Sequence, residues 1–314
     1  MHRFLARRIL SLLPVLVVVG FVSFSLVHLI PGDPAYAILG SEATEDQIQE
    51  LREALGLNRP FLVQMAAWFS HIVVGDLGES LYYKMPVSQV ILQRLEPTVV
   101  LGLLALLIAM GLGIQLGVYA AVKHDTLADH GVMAIAMVGL STPNFWLGLG
   151  LMLLFAVRLG ILPTCGYVGL SENPLATIKH LLMPALAMGF SQSALIARTT
   201  RSSVLETLSQ DFVRTARAKG LAERIVLYRH VLRNAMIPIM TVVGLTLAGL
   251  AGGAVVAETV FALPGTGRLM VDSVKRRDYP VIQATILLAA LLYVVVNLLV
   301  DVLYTLVDPR VRHD

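Results

Sequence analysis

Six long apolar runs, separated by stretches rich in charge and turn-forming residues, set the pattern of this chain. They are Ile9 to Ile30, Thr98 to Ala121, Gly131 to Val157, Leu181 to Ala197, Ala235 to Ala257 and Val281 to about Leu306. About 20 helical residues cross the roughly 30 Å of hydrocarbon in a bilayer. An open sheet edge finds no partners in lipid, so each run is predicted to be a helix. The fourth is short and holds Pro184, Ser191 and Gln192, so part of it is predicted to face protein or a wet cavity. The first follows Arg3, Arg7 and Arg8, as a signal peptide does. Its apolar core is longer than the usual one and no A-x-A-like site precedes the Pro31-Gly32-Asp33-Pro34 turn, so it is predicted to be retained.

Between the runs lie three polar regions. Residues 31–97 form an insertion after the first helix, with nine acidic and four basic residues, and are predicted to be a solvated surface. Thr44 and Gln47 have the spacing of a reciprocal helix cap, and Ile48, Leu51 and Leu55 share one helix face before Gly56 stops it. Residues 198–234 form the second region. Residues 259–280, with the turn signal Leu263-Pro264-Gly265-Thr266-Gly267, form the third. The chain thus divides into 1–30 (amino terminus and first helix), 31–97 (insertion), 98–308 (body, including 198–234) and 309–314 (tail). There is no convincing internal repeat.

Composition agrees with the pattern. The chain is 56% hydrophobic and 14% charged, against about 25% charged in soluble domains. Its net charge of +3 is spread over separate loops, which gives no nucleic-acid face. With the amino terminus inside, fourteen Lys and Arg fall on the inner side and ten on the outer; without the long insertion the outer count is six. This bias predicts both termini in the cytoplasm, 31–97 outside and 198–234 inside. Cys165 is the one cysteine, so no intrachain disulfide forms.

Enzyme motifs are missing: there is no H-E-x-x-H, C-x-x-C, G-x-S-x-G or G-x-x-x-x-G-K-[ST]. No catalytic, cofactor or metal residue is therefore assigned. His28 is read as an interfacial or packing residue. The second, third and fifth runs hold no interior charge, so no proton relay is evident and energy should come from outside the chain. Ser141, Pro143 and Asn144 interrupt the third run, where proline frees a carbonyl and the polar neighbours can satisfy it. With Gln192 they are the candidate pore or gate residues, a plain structural kink being the alternative. Gly113/Gly117 and Gly249/Gly253 have the spacing of close helix contacts.

The region 198–234 is the most informative. Val204, Leu208, Phe212 and Ala216 recur every four residues, predicting one apolar helical stripe. Gly220 follows as a stop, and Leu221, Ile225, Tyr228 and Leu232 share a face of a second helix. Two short helices joined at a glycine and flanked by Arg214, Arg217, Lys219 and Arg224 suit docking into a groove of another protein.

The stretch Asp211-Phe212-Val213-Arg214-Thr215-Ala216-Arg217-Ala218-Lys219-Gly220-Leu221 resembles the coupling loop of ATP-driven (ABC) importer permeases, written E-A-A-x-x-x-G-x9-I-x-L-P. Here the first triplet is Arg214-Thr215-Ala216, which keeps only its last alanine, and the glycine is Gly220. The closing element falls on His230-Val231-Leu232-Arg233, where only the leucine agrees. The form of the loop resembles the dipeptide, oligopeptide and nickel branch. So do Pro31-Gly32-Asp33-Pro34, Gly56-Leu57 with Arg59-Pro60, Gly75-Asp76-Leu77-Gly78, Arg276-Arg277-Asp278-Tyr279-Pro280 and Asp308-Pro309-Arg310, in order along nearly the whole chain.

The resemblance implies an all-α integral membrane protein of six transmembrane helices, with the type I importer permease fold and a periplasmic insertion after helix 1. It implies a place in the inner membrane beside a second, similar permease, two cytoplasmic ATPases that alone bind ATP and Mg, and a periplasmic or lipid-anchored binding protein. Asp211, Arg214, Thr215, Ala216, Lys219, Gly220 and Leu221 would form the ATPase-coupling interface. ATP would close the two ATPases, and the helices would rock between inward and outward openings. Short peptides are the expected cargo; a nickel or metal chelate and glutathione are alternatives within the family, and a secondary transporter is the alternative outside it.

Overall fold

The computed structural model describes residues 2–29, 35–36, 43–54 and 56–307, without the side chains of 2–12, 27, 28, 51, 54, 248, 251 and 299–307. The motifs at 31–34 and 308–310, Leu55, and the side chains of His28 and Leu51 lie outside what is described. Eleven helices are labelled here: α1 His2–Leu29, α2 Glu45–Ala54, α3 Phe61–Val73, α4 Val87–Val122, α5 Leu127–Ser141, α6 Asn144–Leu151, α7 Pro174–Leu208, α8 Asp211–Ala218, α9 Leu232–Val260, α10 Thr266–Arg276 and α11 Tyr279–Val307. A π-helical run, Met152–Arg158, extends α6. A second, Val226–Val231, follows the helical turn Glu223–Ile225 and leads into α9. No strand occurs among the described residues; Glu79 and Pro86 form an isolated bridge.

As far as they are described, the six apolar runs lie on helices, the third on two helices with Thr142 and Pro143 between them. Val87–Val122, Pro174–Leu208, Glu223–Leu247 and Tyr279–Leu298 are each long and apolar enough to cross a membrane. The first run lies on α1, whose stretch Leu13–Leu26 is apolar. The third run is not one kinked rod. Leu127–Ser141 and Asn144–Arg158 are bent by 103° at their junction. Pro143 lacks an N–H and pushes Thr142 into extended backbone (ψ 125°), so α5 cannot continue. The Val138 carbonyl accepts both the Thr142 N–H, at 3.0 Å, and the Thr142 hydroxyl, at 2.7 Å, which closes the last turn of α5.

Residues 1–95 and 266–294 make one compact unit. Within it the predicted cap of α2 forms in both directions: Thr44 N–H donates to Gln47 Oε1 at 3.1 Å, and Gln47 N–H to Thr44 Oγ1 at 3.4 Å. Gly56, at φ +65°, ends the helix region, and Leu57 N–H returns to the Arg52 carbonyl. Helix α3 lies inside what reads from sequence as a polar insertion. It packs on α1 through Phe24, whose ring is 5.4 Å from Phe61 and 5.5 Å from Trp68. At thirteen residues it is too short to span.

Asp278 organises the same unit. Its buried carboxylate accepts from the Ser80 hydroxyl (2.5 Å) and from the N–H groups of Leu81 (3.1 Å) and Tyr82 (3.2 Å). The segments around Gly78 and Arg277, 200 residues apart in sequence, thus meet on one anion. Arg276 stacks its guanidinium 3.7 Å from the Tyr82 ring centroid.

Residues 96–265 and 295–314 make the second unit. Its core joins α4, α7 and α9 through two apolar clusters, one around Ile196, Val204 and Ile239 and one around Leu101, Met188 and Leu250. Gly113 and Gly117 let the α4 backbone reach α7: a Cβ on Gly117 would stand 2.5 Å from the Ala197 carbonyl oxygen. An ion pair then ties α5 to α7. Arg201 grips the buried Asp129 with Nε and Nη2, each at 2.6 Å, beside His124. His124, Asp125 and Asp129 hold ligand atoms within 4.8 Å of one another, but Arg201 already occupies both Asp129 oxygens.

Removing one member of a buried pair strands the other charge, at a cost of about 3–5 kcal/mol. Arg201 is 24% exposed, so Asp129→Ala should cost about 3 kcal/mol. Thermal unfolding of the detergent-purified protein measures this. The double change Asp129→Ala with Arg201→Met should recover most of the loss; no recovery would mean that the pair is not the cause.

Candidate functional site

The polar region after α7 folds into an elbow. Helix α7 ends at Leu208, Ser209 and Gln210 break the chain, and α8 begins at Asp211. The single stripe expected from Val204 through Ala216 is therefore split, because the break resets the helical phase. Val204, Val213 and Ala216 are buried, whereas Phe212 is 41% exposed. Ala216 packs with Val213, Val226 and Val231, so its small side chain seats the elbow on the body.

Gly220 makes the turn at φ +76°, a region glycine enters at little cost. Gly220 N–H bonds the Arg217 carbonyl at 2.9 Å, and Leu221 N–H bonds the Ala216 carbonyl at 3.4 Å. The π-helical run then rotates the next segment, turning Val226 and Val231 inward. Leu221, Ile225 and Tyr228, which share a face in the sequence, are turned outward and exposed. With Phe212 they leave four large apolar side chains uncovered on one loop. Arg224, Ile225, Tyr228 and Arg229 line a surface hollow of about 380 Å³.

The remaining expected residues fall as follows. Asp211 and Arg214 are both highly exposed and form a loose pair at 3.6 Å. Thr215 donates its hydroxyl to the Asp211 carbonyl at 3.0 Å. Lys219 caps α8 and is exposed. Arg217, a free cationic edge on sequence grounds, is neutralised: its Nε and Nη2 reach the two Glu223 oxygens at 3.1 and 2.5 Å. That carboxylate holds the guanidinium above its usual pKa. Glu223 had no signal in the sequence, because a six-residue separation brings two side chains together only when a turn such as Gly220 lies between them.

The residues of the third and fourth runs meet elsewhere. Asn144 and Gln192 are half-buried, and both border α9, near Gly253 and Gly249. Ser141 and Pro143 are exposed at the break.

Comparisons with known proteins agree with this architecture. The family model described as binding-protein-dependent transport system inner membrane component matches residues 113–313, and the model for the N-terminal part of such components matches residues 1–102. A Brucella abortus protein provisionally named as a peptide transport system permease is 43% identical over the full length of both chains. The dipeptide transport system permease protein DppB of Alkalihalophilus pseudofirmus is 42% identical over 98% of each chain. The glutathione transport system permease protein GsiC of Salmonella choleraesuis is 43% identical, with both chains fully covered. Among solved structures, a chain of the MetNI methionine ABC transporter in an inward-facing conformation matches with a TM-score of 0.57 at 16% identity, over 70% of this chain and 97% of that one. That likeness gives the fold.

A Cβ on Gly220 meets nothing within 4 Å, so a substitution there is resisted by backbone strain alone. Gly220→Val should cost about 1–2 kcal/mol, and Gly220→Asn clearly less. Thermal unfolding of the two variants tests this, and equal losses would remove the backbone explanation.

Proposed function

The chain belongs to the binding-protein-dependent transport system inner membrane component family, and on that premise we propose that it is the permease subunit of an ATP-driven importer of short peptides. The observation that carries the coupling role is the elbow. Phe212, Leu221, Ile225 and Tyr228 leave apolar surface uncovered between Arg214, Arg224 and Arg229. Solvated loops do not hold such a patch without a partner. Two cytoplasmic ATPases would dock there, one on this chain and one on a second, similar permease, and they alone would bind ATP and Mg. A periplasmic or lipid-anchored binding protein would deliver cargo from the other side.

In this reading the roles within the elbow differ. Phe212, Leu221, Ile225 and Tyr228 make contact. Asp211, Arg214, Thr215 and Lys219 form the polar rim. Ala216 and Gly220 set the shape, and the Arg217–Glu223 bridge braces the turn so that a push is passed on. Val226, Val231 and Ala235 carry it into α9 through the apolar cluster shared with α7. An effector moves such an equilibrium only through contacts that differ between its two states. The basic bias of the inner loops supports an orientation with both termini in the cytoplasm.

Peptide cargo is supported by the names of relatives about as similar over their whole length, and glutathione is the second reading because GsiC is as close as the others. The chain itself is proposed to be no enzyme.

Replacing Ile225 and Tyr228 by glutamate should abolish co-purification of the ATPases while the permease stays in the membrane. Undiminished ATPase recovery would overturn the docking surface. The purified chain alone should hydrolyse no ATP above background; turnover by the lone subunit would overturn the division of labour.

A further inference from the structure

Helix α9 carries a seam of small or polar positions, Thr246, Gly249 and Gly253, at i, i+3 and i+7 on one face. Two carboxamides border this seam from different helices. Gln192 of α7 holds its Nε2 3.2 Å from where a Cβ on Gly249 would stand, and Asn144 of α6 holds its Nδ2 3.5 Å from the same point on Gly253. Neither amide makes a hydrogen bond among the described residues, although both are half-buried in apolar helices. Thr246 is 1% exposed and its hydroxyl has no partner among the described residues. That is unusual even within α9, where the Thr241 and Thr259 hydroxyls both donate to the carbonyl four residues back, at 3.2 and 2.8 Å. Three polar side chains along one seam thus lack hydrogen-bond partners among the described residues, and for the buried Thr246 hydroxyl such a lack costs a few kcal/mol.

The chemistry of the seam selects its ligand. A carboxamide carries a donor and an acceptor and no charge. It matches the peptide unit, which has the same pair. The Gly249 and Gly253 levels are about 6 Å apart along α9. Alternate residues of an extended chain, which turn the same edge to one side, repeat every ~6.7 Å. Glycine at both levels leaves room for a backbone to approach. We propose that Asn144 and Gln192 form a neutral ladder along α9 that hydrogen-bonds the backbone of an extended peptide in transit, whatever its side chains. Thr246 lies beyond the ladder, at the covered end of the seam. The proposal deepens the peptide-import reading and rests on it.

The test uses the complete transporter in liposomes, with its partner permease, ATPases and saturating binding protein. Uptake of a tripeptide is compared with uptake of its depsipeptide, in which an ester replaces one amide and removes an N–H donor. Any preference of the binding protein is common to all permease variants, so the change in the ratio reports the permease. Asn144→Leu with Gln192→Met keeps size and should lower tripeptide uptake about tenfold or more. It should also lower the tripeptide-to-depsipeptide ratio well below that of the unaltered transporter, and Gln192→Asn should restore part of it. If the double variant does not assemble, Gln192→Met alone carries the comparison. An unchanged ratio in an assembled variant overturns the ladder and leaves peptide import standing. Absence of tripeptide uptake by the unaltered transporter overturns peptide import itself.

Discussion

Hydrocarbon offers no partner to a backbone N–H or C=O, and this constraint orders the molecule. It makes each apolar run a helix and allows a helix to break only where side chains or neighbouring helices repair the loss. The break between α5 and α6 comes at Pro143, which removes a donor, and the Thr142 N–H and hydroxyl both close the last turn of α5 on the Val138 carbonyl. A bend of 103° then sets the start of a second helix within the third run. Asn144 stands at that start, beside Gly253 of α9. The placement of the Asn144 amide therefore follows from how the backbone was broken.

Association of the helices obeys the same constraint. Lipid is as apolar as leucine, so burial alone gives helices little reason to meet. What remains is close packing and polar contact, and the second unit uses both. Gly113 and Gly117 bring α4 onto α7, while the Asp129–Arg201 pair ties α5 to it near their polar ends. Helix α7 is therefore held on several sides, and the elbow continues directly from its end. A rigid lever with a braced turn can transmit displacement, whereas a floppy loop would absorb it.

Local features were legible in the sequence. Thr44 and Gln47 cap α2 as their spacing requires, because both partners lie within one helical turn. Gly220 turns the chain at positive φ, as a stop glycine should. The stripe drawn from Val204 to Ala216 was misphased, because two residues, Ser209 and Gln210, interrupt a period that assumes an unbroken helix. The outward face of Leu221, Ile225 and Tyr228 shares a helix side as read, but the π-helical run decides that this side is the exposed one. Helix α3 escaped notice because an apolar helix too short to span resembles any loop with scattered hydrophobic residues.

The sequence by itself determined that the chain is a multi-pass membrane protein, which stretches are apolar helices, where its polar regions lie and which of them turns at a glycine. Those properties depend on hydropathy, length and local backbone preference, which are sums over neighbours along the chain. Only the tertiary structure decided the pairs: Asp129 with Arg201, Asp278 with Ser80, Arg217 with Glu223, and the two amides with the α9 seam. Each depends on distance and direction between side chains that turns, breaks or helix packing bring together. No reading of spacing along one dimension contains that information.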